Sequence, residues 1–283
     1  MTRAYRLVFY LAVAAAGAAE AANCKDDWVC IDAEEDGDLV RLEARNLRNY
    51  PGTDTQRVRA ANYAIDGPAT VTRPLGPMES EAVMQLTPEG GGNKGQYRVY
   101  FEWTVGDKDA EHDDDYLYSR PYADGRSYRV LQGYGSRFSH KGLEEFAVDF
   151  DMPEGTPVHA ARGGVVARAI ESNTRGCWED GCGRYANYVV ILHEDGTTGE
   201  YYHLQQNGAL VEVGDNVVPG QLIGLSGNTG HTALPHLHFA VYRATRGARS
   251  QSIPINFISE DGVVYRPRRG HRYQAISSQS AGD

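Results

Sequence analysis

Apolar and polar positions alternate along this chain far more often than they recur at helical spacing. LVRLEARNL (39–47), ATVTRPL (69–75) and QYRVYFEWTV (96–105) carry apolar side chains at alternating positions, the pattern of a strand with one buried face. Turn-forming groups separate them: NYPGTD, DGP and EGGGNKG. Residues 22–115 therefore read as a small antiparallel β-sandwich, immunoglobulin-like in its strand spacing, that ends in the acidic linker GDKDAEHDDD.

From Tyr116 onward glycine punctuates short strands every eight to twelve residues, again an all-β texture. NYVVILHEDGTTGEYYHL (187–204) predicts two strands joined by a turn at Asp195-Gly196. ALVEVGDNVVPGQLIGLSGNTG (209–230) predicts further short strands with turns at Gly214-Asp215 and Pro219-Gly220. This second domain runs over 116–262. Residues 263–283 hold Arg266, Arg268, Arg269 and Arg272, end in SSQSAGD, and read as a solvated tail.

One short stretch carries more than structure. In LPHLHF (234–239) strand alternation puts His236 and His238 on one face and Leu237 and Phe239 on the other. Two imidazoles on one face either bind a metal together or divide the work between metal and proton.

The ends and the charge narrow the setting. Residues 1–21 have Arg3 and Arg6, the apolar run LVFYLAVAAA and the A-x-A triplet Ala19-Glu20-Ala21, which together read as a cleaved export signal. The run is too short to span a bilayer, which takes about twenty residues, and no later segment is longer. Ala21 and Asn23 ahead of Cys24 argue against a lipidated cysteine. In an exported chain the near pairs Cys24/Cys30 and Cys177/Cys182 fit two local disulfides better than a four-cysteine zinc site. A net charge of −10 argues against nucleic acid as a partner. The acid runs DAEEDGD and EHDDD lack the calcium-loop pattern and read as surface or linker.

Outside LPHLHF, His140 in FSHKG, Asp149 in AVDFDMPEGTPV and His203 in YYHL complete a candidate constellation. A catalytic zinc takes three protein ligands and keeps one position for water, and two histidines with an aspartate supply suitable atoms. Two histidines remain for proton work.

SHKG, VDFDMPEGTPVHAARGGVV, EYYHL, VEVGDNVVPGQLIGLSGNTG and LPHLHF together resemble the lysostaphin-like, LytM-type zinc metallopeptidases over about residues 118–257. The resemblance implies one zinc ion held by His140, Asp149 and His238, with His203 and His236 as the catalytic pair. It implies for Tyr134, six residues before His140, a hydroxyl that steadies the oxyanion, beside the plainer role of an aromatic packing residue. The implied activity is endopeptidase cleavage of peptide cross-links in bacterial peptidoglycan, in the periplasm or outside the cell. Paired disulfides lean towards a Gram-negative periplasm and hence, by analogy, a D-alanyl to diaminopimelate bond.

Two departures stand out. Asp149 follows His140 by nine residues, where the family commonly has four, so GLEEFA reads as a loop insertion with Glu144 and Glu145 facing solvent. HTAL precedes the H-x-H where a Ser-Thr-Gly segment is common, and His231 reads as an exposed loop residue. Two other functions compete: a non-catalytic, amidase-regulating module, whose mark would be missing histidines, and a secreted protease acting on glycine-rich proteins. The first domain is open to substrate binding, partner binding or cover of the groove, and no motif speaks to oligomeric state.

Overall fold

A computed structural model describes residues 23–25, 28–90, 95–247 and 249–276, and the expected export signal at 1–21 lies outside them. The chain divides into two compact units. One runs up to Asp109 and takes in Ala244–Arg249; the other comprises Ala110–Arg243 and the chain from Ser250. The division falls inside GDKDAEHDDD. No helix among the described residues is long and apolar enough to cross a membrane.

The first unit contains two antiparallel sheets. Asn23–Lys25, Val29–Asp36, Leu39–Asn46, Ser80–Pro88 and Tyr63–Ile65 lie side by side in that order. A second sheet orders Thr70–Leu75, Gly52–Ala61 and Gln96–Val105. The alternating stretches of the sequence are these strands. Trp28 stacks on Trp103 with ring centroids 4.0 Å apart, and Tyr50 meets Trp28 edge-on. The Cys24–Cys30 disulfide forms as expected and ties together the first two strands.

The second unit is built on one large antiparallel sheet. Its strands follow the order Asn216–Val217, Gly164–Ile170, Tyr188–Leu192, Thr198–Tyr202, Leu237–Thr245, Val148–Phe150, Ser127–Gln132 and Arg272–Gln274. The expected hairpin is present: Leu192 pairs Thr198, and Asp195 Oδ1 accepts from both the amide and the hydroxyl of Thr197. Val148, Phe150, Val189, Ile191, Tyr201, Leu237, Phe239 and Val241 are almost wholly buried and form the core on one face. Burial of each such large side chain contributes about 1.5–3 kcal/mol. Their strand neighbours project from the opposite face.

The stretch after Val263 differs from the expected solvated tail. Arg272–Gln274 pairs with Ser127–Arg129 as an edge strand, and Ala275 is buried. The arginines do remain exposed, as their charge requires, while the backbone pairs and Tyr273 turns inward. Tyr122 donates its hydroxyl proton to the Tyr273 carbonyl at 2.6 Å, and the buried Arg120 guanidinium lies between the rings of Phe257 and Tyr273, 4.4 and 4.5 Å from their centroids.

Candidate active site

The polar face of the large sheet carries a row of directly paired residues across four antiparallel strands. Gln132 stands opposite Asp149, Asp149 opposite His238, and His238 opposite Tyr202. Opposed residues in such a sheet have Cβ atoms about 4.5–5.5 Å apart, so register alone brings the row into contact. The regular strand begins at Leu237, one residue later than the alternation suggested, and His236 forms a bridge to Gly227.

His140 reaches the row from the loop after Gln132. Its Nε2 lies 3.1 Å from Asp149 Oδ1, and His238 Nδ1 lies 2.9 Å from the same oxygen. These three ligand atoms all lie within 4.8 Å of one another. The remaining atoms of each residue are also held. His140 Nδ1 faces the Gly133 carbonyl at 3.3 Å, and Gln132 Nε2 donates to Asp149 Oδ2 at 2.6 Å. His238 Nε2 faces the Tyr242 hydroxyl at 3.3 Å. Gly133 itself tolerates no side chain, since a Cβ there would stand 2.2 Å from the Pro267 carbonyl oxygen.

The other two histidines flank the group. His236 Nε2 is 3.8 Å from Asp149 Oδ1, and the His203 and His236 ring centroids are 4.6 Å apart. Each points Nδ1 at a backbone carbonyl, His203 at Thr229 (2.7 Å) and His236 at Leu234 (2.8 Å). Nδ1–H therefore donates in both neutral rings, and Nε2 keeps the lone pair. His203 adopts a left-handed backbone (φ 68°), a conformation that costs of order 1–3 kcal/mol and is held by its surroundings. The buried Asn187 amide reaches the Gln205 carbonyl, and Thr229 links the Asn187 amide nitrogen to the Leu204 carbonyl.

Burial and mutual charge set the protonation. Burial would raise the Asp149 carboxyl, but hydrogen bonds from His140 and His238 outweigh it and hold Asp149 well below its ordinary value. Burial would lower His238, yet its bonds to Asp149 and Glu144 bring it up to about 10. His203 is driven well down by burial and by the neighbouring His236 and His238. A cluster that holds a proton between two carboxylates and an imidazole has the charge and the donor atoms to hold a divalent cation instead.

Two expectations are corrected. Tyr134 is buried in the core cluster, edge-on to Phe146, with its hydroxyl engaged by the main chain of Ile255 at 3.3 Å. The structure does not bring that hydroxyl to the histidines, and burial pushes it up to about 12. Glu144 is not solvent-facing: its Oε2 accepts from the Tyr242 hydroxyl at 2.5 Å and lies 3.7 Å from His238 Nε2. Glu145 is exposed, as read from the sequence. Gln132, Asn187, Thr229, Tyr202 and Tyr242 were missed. For Tyr242 a signal existed, since period two puts it on the face of His238.

The loop closed by the Cys177–Cys182 disulfide brings Trp178 onto Phe138 and His231, at centroid distances of 5.1 and 4.3 Å. His231 is thus half-buried against an indole.

Residues 144–252 match the model of Peptidase family M23; the match includes Asp149, His203, His236 and His238 and begins four residues after His140. The chain is 33% identical over 138 residues to the glycyl-glycine endopeptidase ALE-1 of Staphylococcus capitis, covering 48% of this chain and 35% of that protein. It is 36% identical over 134 residues to the peptidoglycan DD-endopeptidase ShyA of Vibrio cholerae, covering 45% of this chain and 28% of that one. The solved catalytic domain of lysostaphin from Staphylococcus simulans is 32% identical, with 44% of this chain and 88% of that chain covered and a TM-score of 0.34. The chain spans about a third of the length of the curated relatives it matches.

Proposed function

We propose, from the peptidase family M23 domain that this chain carries, that the protein is a zinc-dependent endopeptidase hydrolysing peptide cross-links of bacterial peptidoglycan. The observation that carries this reading is the convergence of His140 Nε2, Asp149 Oδ1 and His238 Nδ1, a three-ligand set with each ligand's remaining polar atoms held from behind. The endopeptidase names of its relatives ALE-1 and ShyA support wall peptide as the substrate.

A zinc ion held by His140, Asp149 and His238 would supply a Lewis acid for the scissile carbonyl and would lower the pKa of a water to about 7. The remaining chemistry belongs to the chain. His203 and His236 each turn Nδ1 to a carbonyl behind the ring, which leaves Nε2 as the acceptor nitrogen of the neutral form, and they act as the groups that take the proton from the attacking water and return it to the leaving amine. The lowered affinity of His203 for a proton keeps it in the basic form near neutrality. Asp149 remains an anion throughout, oriented by Gln132. Residues 1–21 are an export signal in this reading, and the enzyme works in the periplasm or outside the cell.

The test is a mass-spectrometric muropeptide profile of purified peptidoglycan incubated with the zinc-loaded protein, beside a His236→Ala control. Cross-linked dimers converting to monomers only with the intact histidine is the expected result, and the products identify the bond. An unchanged profile from a folded, zinc-bound sample assigns the domain to regulation or to a non-wall protein substrate.

A further inference from the structure

His238 turns Nδ1 towards Asp149, which leaves Nε2 on the far side of the ring. There the Tyr242 hydroxyl lies 3.3 Å from Nε2 and donates to Glu144 Oε2 at 2.5 Å, while that same carboxylate oxygen is 3.7 Å from Nε2. The donors run head to tail: Nε2–H to the tyrosine oxygen, the tyrosine proton to the carboxylate. With Nε2–H committed to the tyrosine, Nδ1, the atom that faces the ligand group, is the nitrogen that gives up its proton when a metal binds.

Both outer residues are held in place. Tyr242 is 4% exposed and packs with Ala147 and Ala240 on the polar face of the sheet. The Glu144 side chain is 17% exposed and ends the short 3₁₀ turn Gly142–Glu144. The other half-buried acid nearby, Glu200, has its own partners in Tyr202 and Thr198 and does not compete for this nitrogen. The nine-residue interval between His140 and Asp149 thus delivers a carboxylate to the back of the third ligand.

We propose that Glu144 is the anchoring carboxylate of His238, acting through Tyr242, and that the pair sets how tightly the His140–Asp149–His238 group holds a divalent metal. The proposal rests on the zinc-site reading above. Both are positioning residues, since neither touches the reacting atoms. A purely structural role, in which Glu144 only pins the turn to the sheet, would change fold stability and leave metal affinity alone.

The experiment is an equilibrium competition for Zn²⁺ against a chromophoric chelator at fixed pH, using the full chain and the variants E144Q, Y242F and E145Q, with a thermal melt of each metal-free sample. E144Q and Y242F are expected to weaken zinc binding by about 10- to 100-fold. The exposed neighbour E145Q leaves it unchanged, and the E144Q/Y242F double variant binds no more weakly than the weaker single, because one chain is broken once. Zinc affinity in E144Q equal to that of E145Q overturns the proposal. Should E144Q fail to fold, Y242F keeps its ring packed on the two alanines and reads the same chain; an unchanged affinity there overturns the proposal alone. A parent chain that binds no zinc removes the underlying reading first, and that failure is seen before any variant is compared.

Discussion

Asp149 and His238 stand directly opposite one another on adjacent antiparallel strands, with Asp149 Oδ1 2.9 Å from His238 Nδ1. Their strand neighbours Val148, Phe150, Leu237 and Phe239 are fully buried on the other face. The same register that packs the core therefore sets the distance between the two groups. A slip of one residue would bury the polar pair and expose the apolar one.

His238 and His236 are expected to separate in function. His238→Ala removes an atom of the ligand group and loses the metal. His236→Ala keeps the metal and loses turnover by about 10²- to 10⁴-fold, the usual worth of a general acid/base. Zinc content by mass spectrometry beside kcat decides; equal metal loss in both variants would overturn the division of roles.

Metal removal is expected to abolish activity and spare the fold. The core cluster contains none of the three candidate ligands. Chelated protein should keep its far-ultraviolet circular dichroism and regain activity on addition of zinc. Loss of the β signal on chelation would show that the metal, rather than the apolar face, organises the sheet.

Gln132→Ala leaves the buried Asp149 Oδ2 without its 2.6 Å donor. An orphaned buried acceptor costs about 1–3 kcal/mol, more for a charged one. Urea unfolding of the metal-free variant should show that loss, and zinc affinity should fall with it. A variant as stable as the parent would mean that Ser139 or water takes over the carboxylate.

His193 predicts an acid limb in stability. Burial pushes this imidazole from its ordinary 6.5 down to about 4, partly offset by its bond to the Gly163 carbonyl at 2.9 Å. The unfolded chain therefore takes up the proton first as pH falls. The contribution of His193 is fully present above ~6.5 and is lost on the way to ~4, up to about 3 kcal/mol in all. His193→Leu should be less stable than the parent at pH 7 through the lost hydrogen bond, yet the difference should narrow on acidification. A difference independent of pH would mean that His193 takes up its proton equally in the folded and unfolded chains.

Much of the candidate site was legible because its pieces are local. LPHLHF announces two histidines on one face, and the hairpin of 187–204 ends at His203. Tyr134 misled because a family position says where a residue sits along the chain, while the direction of its hydroxyl depends on Ile255, more than a hundred residues away. Glu144 misled for the complementary reason. A charged pair in a short insertion reads as solvated until a tyrosine ninety-eight residues further on is found to meet it.

Alternation, turn chemistry and residue type alone determined that this is an all-β chain, that His236 and His238 share a side and that Asp195-Gly196 closes a hairpin. Period two is a local property of the backbone and needs no partner strand. Which strands become neighbours, and in what register, depends on contacts between distant segments. Only the tertiary structure could set Gln132, Asp149, His238 and Tyr202 in one row, bring Glu144 behind His238 and add Arg272–Gln274 to the sheet edge. The physical reason is that buried polar groups and open backbone edges take whatever partner the folded core brings within hydrogen-bond reach, and the linear pattern does not record that reach.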